Sequence, residues 1–155
     1  MKWLTIILLF VSMNLSAQDK YEGSLMRDPH YYGTKVIAMS MLETIADATG
    51  DALMDSNRKE LGHIMNAATI GLFVIEPALI TYDSWADVGL KSLSLIGARL
   101  LMFNVTYNLV RGLPYDFVGT TSYYDQFVNS QPDKFRWGKG VIITFSFAIT
   151  LKEWK

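Results

Sequence analysis

Cysteine is absent from this sequence of 155 residues, and so is a large excess of charge, with 14 Lys+Arg against 15 Asp+Glu. Without cysteine, the chain cannot be a disulfide-stapled domain, a zinc finger of the cysteine type or a thiol enzyme. The balanced charge argues against a nucleic-acid-binding surface, which normally has a large positive excess. Charged residues are themselves scarce, at 19% against roughly 25% in an average protein. These absences leave one hydrophobic domain of ordinary size.

The sequence also lacks the short motifs that identify common enzymes. There is no Gly-x-Ser-x-Gly elbow, P-loop, Ser-x-x-Lys pair or Rossmann glycine pattern. No His-x-x-x-His or EF-hand spacing is present either. We therefore expect no cofactor and no metal, and whether the protein is an enzyme stays open.

The first 17 residues have the three-part layout of a signal peptide. Lys2 supplies a positive charge, residues 3–11 are apolar, and Leu15-Ser16-Ala17 forms a cleavage site. Residues 18–33 then read as an exposed, polar lead-in. This arrangement is typical of a bacterial cell-envelope protein.

Beyond residue 33 the apolar residues recur mainly at helical spacing. We predict one all-α domain over 34–155, a small bundle of three to four helices; these span 34–55, 58–82, 85–110 and a C-terminal stretch within 135–154, with a polar aromatic loop over 113–134. Asn57 and Glu60 have the spacing of a capping box at the start of the second helix. Residues 140–151 are ambiguous because they alternate as a strand does, but a lone strand could not pair its backbone groups, which favours helix.

The second and third predicted helices are long enough to cross a bilayer, although no run of 18 apolar residues is unbroken. Three crossings would put Arg58, Lys59, Arg111 and the basic residues from 134 to 139 on one side, as the positive-inside rule requires. We therefore predict a membrane-embedded bundle, in the inner membrane, with membrane lipid as its partner. A soluble periplasmic bundle is the alternative, because it would explain the acidic residues of the first helix as a solvated face.

Those acidic residues, Glu43, Asp47, Asp51 and Asp55, recur every four positions and so share one helix face. In a membrane they must face the bundle interior and be neutralised by protons or by partners such as Lys91 or Arg99. They would then relay protons or bind a divalent cation. The single histidine of the predicted helices, His63, is a further acid/base candidate.

A second polar series lies on the third helix and next to the Tyr-rich loop. Its members are Arg99, Asn104, Tyr107, Asn108 and Arg111. Arginine suits phosphate or carboxylate recognition, so this face could bind a polar headgroup or a sugar. The loop is also a candidate surface for a protein partner.

Two functional hypotheses follow from these patterns. The first is a helical membrane bundle with a structural or ligand-binding role, and its soluble form would be a periplasmic binding protein. The second is an enzyme acting on a lipid or envelope glycan, with the acidic stripe and His63 as acid/base groups. Both hypotheses assign a role to charged residues inside the predicted helices, for which a purely structural membrane bundle would have little use. Six such residues are present: Glu43, Asp47, Asp51, Glu76, Lys91 and Arg99.

Overall fold

The computed structural model describes residues 32–80, 82, 84–119 and 123–152. Over these residues the chain is helical and has no strand; the helices are α1 (Tyr32–Asp55), α2 (Lys59–Leu79), α3 (Trp85–Val110), α4 (Tyr123–Ser130) and α5 (Pro132–Lys152). The all-α prediction is confirmed, and the ambiguous C-terminal stretch is helix. The predicted signal peptide lies outside the described residues, as does the lead-in except for its last two residues, which begin α1.

Two helix boundaries follow local sequence signals, and one does not. The Ser84 side chain accepts a hydrogen bond from the Asp87 backbone N–H, and Asp87 accepts one from the Ser84 N–H, so a capping box starts α3. Pro77 lies in the last turn of α2, which ends two residues later. The capping box predicted at Asn57 is wrong. Asn57 has a left-handed φ of 62° in the turn between α1 and α2, and Arg58 occupies the N-cap without a side-chain hydrogen bond.

The predicted loop over 113–134 contains a short helix, α4. An acidic residue, Asp125, lies in its first turn, where the helix dipole favours a negative charge. Its Val128 is buried, and the Asn129 amide donates to the Gly119 carbonyl oxygen at 3.0 Å. Residues 123–130 of the predicted loop are therefore helical.

Small residues bring the long helices close together. α1 packs against α2, α3 and α5, and α3 packs against α5. A Cβ atom on Gly50 of α1 would lie 2.0 Å from Asn66 Oδ1 on α2, and one on Gly97 of α3 would lie 2.9 Å from Ser146 Cβ on α5. These glycines permit a spacing that any larger residue would widen, as in tightly packed helix pairs of membrane proteins.

Among the described residues, buried polar or charged side chains outnumber buried apolar ones. The buried side chains include many polar or charged ones; among them are Ser40, Glu43, Thr44, Lys91, Ser94, Ser146 and Thr150. Large apolar side chains stand exposed on α2, α3 and α5; they include Leu61, Ile64, Ile70, Val74, Ile96, Leu101, Leu109, Val141, Ile142 and Phe145. In a water-soluble domain the opposite arrangement supplies most of the folding free energy.

Within the described part of the chain, α3 is the one helix that is long and apolar enough to cross a membrane by itself. Its most apolar stretch has a mean hydropathy of 1.3, and 22% of that stretch is buried inside the protein. A core helix of a soluble protein would be mostly buried. Most of this apolar stretch of α3 therefore lies on the outer surface of the bundle.

Replacing Gly97 by alanine should destabilise the α3–α5 contact, because the added Cβ would lie 2.9 Å from Ser146 Cβ and 3.0 Å from Phe147 Cε1, closer than van der Waals contact. Gly89→Ala is the matched control, since the same helix gives its Cβ open space. Both changes gain the same helix propensity. We expect Gly97→Ala to be less stable than Gly89→Ala by about 1–3 kcal/mol, measured by thermal unfolding of the purified proteins. Equal stabilities would contradict the close α3–α5 packing.

Candidate functional site

Three ionisable side chains meet inside the bundle, one from each of the first three helices. The Lys91 ammonium lies 2.9 Å from Glu43 Oε2 and 2.6 Å from Glu76 Oε1. The exposed fractions of the three residues are 1% for Glu43, 5% for Glu76 and 8% for Lys91. Burial of charged groups on this scale costs free energy unless they are paired, and here one cation bridges two acids. We call these three residues the Lys91 cluster.

The Lys91 cluster has one more carboxylate than ammonium. Glu43 Oε1 is buried and has no hydrogen-bond partner among the described residues. With all three groups ionised, the cluster has a net charge of −1 in a region of low dielectric constant. One additional proton would neutralise the cluster, and a carboxylate oxygen without a partner is a place to hold it.

Tyr82 closes one side of the Lys91 cluster by donating a hydrogen bond to Glu76 Oε1. It lies in the connection between α2 and α3, and it packs against the small apolar cluster of Val36, Met39 and Ile80. Burial, together with the neighbouring Glu76 carboxylate, raises the pKa of the Tyr82 hydroxyl well above its usual range, so the phenol stays a hydrogen-bond donor.

The acidic stripe of α1 continues along α3 beyond the Lys91 cluster. Asp47 Oδ2 lies 2.7 Å from a guanidinium nitrogen of Arg99. Nearer the end of both helices, Tyr107 donates to Asp55, and the Arg111 guanidinium donates to the Tyr107 hydroxyl oxygen at 2.8 Å. Residue numbers rise together along the two helices, so α1 and α3 run parallel and form a ladder of ionisable groups.

The ladder becomes more exposed from the Lys91 cluster toward residue 111. The Asp47 and Arg99 side chains are 27% and 51% exposed, and Asp51, Asp55 and Arg111 are exposed residues. Exposed ion pairs contribute little to stability, commonly about 0–1 kcal/mol. The buried Lys91 cluster is therefore the part of the ladder in which charge is most constrained.

A cavity of about 210 Å³ opens where α3 meets α5; its walls are Arg99, Leu100, Phe103, Asn104 and Lys139. The residues from Arg99 to Phe103 form a π-helical turn within α3. The Arg99 guanidinium lies over the Phe103 ring, 5.0 Å from its centroid. Wide turns of this kind occur frequently at functional sites because they displace side chains from the regular helical positions.

Asn108 and His63, the remaining residues of the predicted site, belong neither to the ladder nor to the cavity. Asn108 is buried, and its amide donates to the carbonyl oxygens of Tyr115 and Phe117, at 3.2 and 2.9 Å, so it holds the turn after α3. His63 is exposed on α2 and has no hydrogen bond or ion pair among the described residues. Asn104, Tyr107, Asn108 and Arg111 therefore do not converge on one pocket, and His63 does not join the acidic stripe.

Sequence reasoning left Glu76, Tyr82 and Lys139 out of the candidate site. Glu76 has a visible signal, since it is an acid at the end of a long uncharged stretch. Tyr82 and Lys139 have none, because their roles depend on which helices pack together. No group of three or more metal-ligating side chains is assembled in the described ranges.

Comparison with family models, with curated proteins and with solved structures finds no match to this chain.

Removing the cation of the Lys91 cluster should leave two buried carboxylates side by side. We expect Lys91→Met to cost about 3–5 kcal/mol of unfolding free energy at neutral pH. The cost should shrink in acid, where the carboxylates take up protons and no longer repel each other. Thermal unfolding followed by circular dichroism across a pH series measures both effects.

Lys59→Met is the matched control, since Lys59 is exposed at the start of α2; its effect should stay within about 0.5 kcal/mol. Similar losses in the two variants, independent of pH, would contradict a buried ion cluster around Lys91.

Proposed function

We propose that the protein is an integral membrane helical bundle, located in the inner membrane of the cell envelope, whose Lys91 cluster takes up and releases a proton. The observation that carries this proposal is the inverted distribution of polarity. Ionisable and hydroxyl side chains are buried between the helices while large apolar side chains face outward. A bilayer stabilises that arrangement because its hydrocarbon core solvates an apolar surface and penalises an exposed charge.

Two exposed tryptophans support the membrane location by their spacing. Trp85 begins α3, and Trp137 lies in the second turn of α5. The contact of Gly97 with Ser146 puts Trp137 at the level of residue 106 on the antiparallel α3. The two levels are 21 residues apart, or about 30 Å at 1.5 Å per residue, which matches the roughly 30 Å of a hydrocarbon core. Tryptophans favour both membrane interfaces.

The basic residues support an orientation of the bundle. One end, where α1 and α3 finish and α2 and α5 begin, has most of the described basic side chains outside the ladder; they are Arg58, Lys59, Lys134 and Arg136, with Arg111 beside them. At the other end the described ones are Lys35 and Lys152. The positive-inside rule then assigns the first end to the cytoplasm. Lys139, another basic residue that the sequence assigns to this side, also lines the cavity beside α3.

The central position of α1 explains how a helix with four acids can cross a membrane. α1 packs against α2, α3 and α5, so much of its circumference is covered by protein. Glu43 and Asp47 each have a cation from α3 within 3 Å. Ionisable groups inside a membrane protein characteristically face the interior and pair with one another, and they mark proton or substrate pathways.

Proton exchange follows from the charge of the Lys91 cluster. With two carboxylates and one ammonium, the cluster is neutral only when it holds one extra proton. A neutral state is favoured in a low dielectric medium, and the partnerless Glu43 Oε1 offers a position for the proton. The polar ladder toward Arg111 gives this site ionisable neighbours between it and the cytoplasmic end.

The soluble periplasmic alternative would leave the exposed apolar residues of α2, α3 and α5 in water, at a cost of about 25 cal/mol per Å². The enzyme alternative used His63 together with the acidic stripe, and no contact between them favours it. The exposure of Asp51 and Asp55 on α1 is the observation that the soluble alternative explains.

The membrane location can be tested by extraction of cell membranes. We expect the full-length protein to remain in the membrane pellet after alkaline carbonate treatment and to dissolve only with detergent, because its apolar surface contacts lipid. Release by carbonate without detergent would overturn the membrane location. A known peripheral protein and a known integral protein serve as controls.

Proton uptake can be tested by pH-difference infrared spectroscopy of the purified protein, which detects the C=O stretch of a protonated carboxyl group. We expect a protonated carboxyl in the wild type that is lost as the pH rises. Glu43→Gln and Glu76→Gln should each abolish it, because the remaining carboxylate then forms a neutral pair with Lys91. Asp55→Asn, at the exposed end of the ladder, is the control and should retain it. A band unchanged in both glutamine variants would refute the proposed site.

A further inference from the structure

The cavity between α3 and α5 has cationic walls. Arg99 and Asn104 of α3 and Lys139 of α5 supply two positive charges and an amide, next to Leu100 and Phe103. Its volume of about 210 Å³ is below the roughly 300–1,000 Å³ of pockets for drug-sized molecules. A small polar group fits this volume, whereas a larger ligand would have to extend outside it.

The charges around the cavity do not balance. Arg99 is paired with Asp47 at 2.7 Å, while Lys139 is partly buried and has no ion pair or hydrogen bond within the ranges that the structure describes. A partly buried ammonium without a partner costs free energy, which an anion in the cavity would recover. Arg99 also interacts electrostatically with the exposed Asp51, so Lys139 is the cation of the walls that lacks a counter-ion among the described residues.

The Arg99 guanidinium has hydrogen-bond donors available for a ligand. This group is planar with five N–H donors, and the pair with Asp47 leaves donors unused. Its Cζ lies 5.0 Å from the centroid of the Phe103 ring, within the range of a cation–π contact. A planar arginine fork beside a lysine point charge is a combination that proteins use for phosphate oxygens.

The π-helical turn is an independent observation at the same place. It begins at Arg99 and ends at Phe103, and three of the five cavity residues belong to it. A π-helical turn gives up regular helical hydrogen bonding, and such turns are frequently retained at functional sites. Here the turn and the cationic cavity coincide.

We propose that this cavity binds a phosphate group, supplied either as free phosphate or by a phospholipid headgroup. Arg99 and Asn104 would donate to the phosphate oxygens from α3, and Lys139 would neutralise the remaining charge from α5. The lipid source rests on the proposed membrane location, because Lys139 lies two residues from Trp137 and hence near the membrane interface. Phosphate recognition itself does not depend on that location.

The test uses purified full-length protein in a maltoside detergent and compares two lysine variants of α5. Lys139→Gln removes the cavity cation, and Lys134→Gln removes an exposed lysine of the same helix with the same loss of charge. Phosphate binding is measured as a rise in the unfolding temperature during titration, since a ligand that binds only the folded state stabilises it. We expect Lys139→Gln to raise the dissociation constant for phosphate by about 10- to 100-fold, the effect of losing one charged hydrogen bond. Lys134→Gln should bind as the wild type does.

Two arms of the titration separate the sources of phosphate. One arm adds inorganic phosphate against potassium chloride of equal ionic strength, and the other adds phosphatidylglycerol against diacylglycerol with the same acyl chains. A shift with inorganic phosphate identifies a free-phosphate site, and a shift with phosphatidylglycerol alone identifies a headgroup site. No shift in either arm, or equal weakening in both lysine variants, would overturn the proposal.

Failure of this site is distinguishable from failure of the proposed function. The infrared signal of the Lys91 cluster depends on Glu43 and Glu76, which do not line the cavity. Lys139→Gln should leave that signal unchanged even where it abolishes phosphate binding.

Discussion

Lys91 connects three helices through a single ammonium group, since it extends from α3 and its two carboxylate partners lie on α1 and α2. Each partner is buried, so none of the three groups can leave the others without becoming an unpaired charge in a low dielectric medium. The ion cluster thereby fixes the level at which α1 meets α3. Once Glu43 lies at the level of Lys91, the parallel course of the two helices carries Asp47 toward Arg99 and Asp55 toward Tyr107.

Because Lys91 is held in the interior, α3 has one buried face and one exposed face along its length. Lys91, Ser94 and Asn108 are buried against the bundle, whereas Ile96 and Leu109 are exposed on the outside. The π-helical turn lies between Lys91 and Asn108 along α3, and its Arg99 pairs with Asp47 of α1 while also lining the cavity beside α5. One helix therefore contributes the cation of the interior cluster, a wall of the cavity beside α5 and part of the apolar exterior.

Most of the helix positions could be predicted from the sequence, because apolar periodicity, the Ser84 cap and Pro77 are local signals. The short helix α4 was missed since its polar, aromatic composition resembles a loop, and its stability depends on contacts with the segment around Gly119. Lys91 and Arg99 were correctly named as partners of the acidic stripe, because buried acids require cations and few were present in the helices. Glu76 was noticed as an interior charge, but its place beside Lys91 depends on how α2 crosses α1.

The sequence by itself determined the approximate positions of the four long helices and that charge inside them is scarce, because both depend on residue types and on spacing along the chain. Only the tertiary structure decided which carboxylates share a cation, that His63 stays apart from the acidic stripe, and that Lys139 and Arg99 face one cavity. These facts depend on the distance between side chains on different helices, set by close contacts such as that of Gly97 with Ser146. Periodicity gives the face of a helix on which a residue lies, but it does not give the neighbour that this face meets.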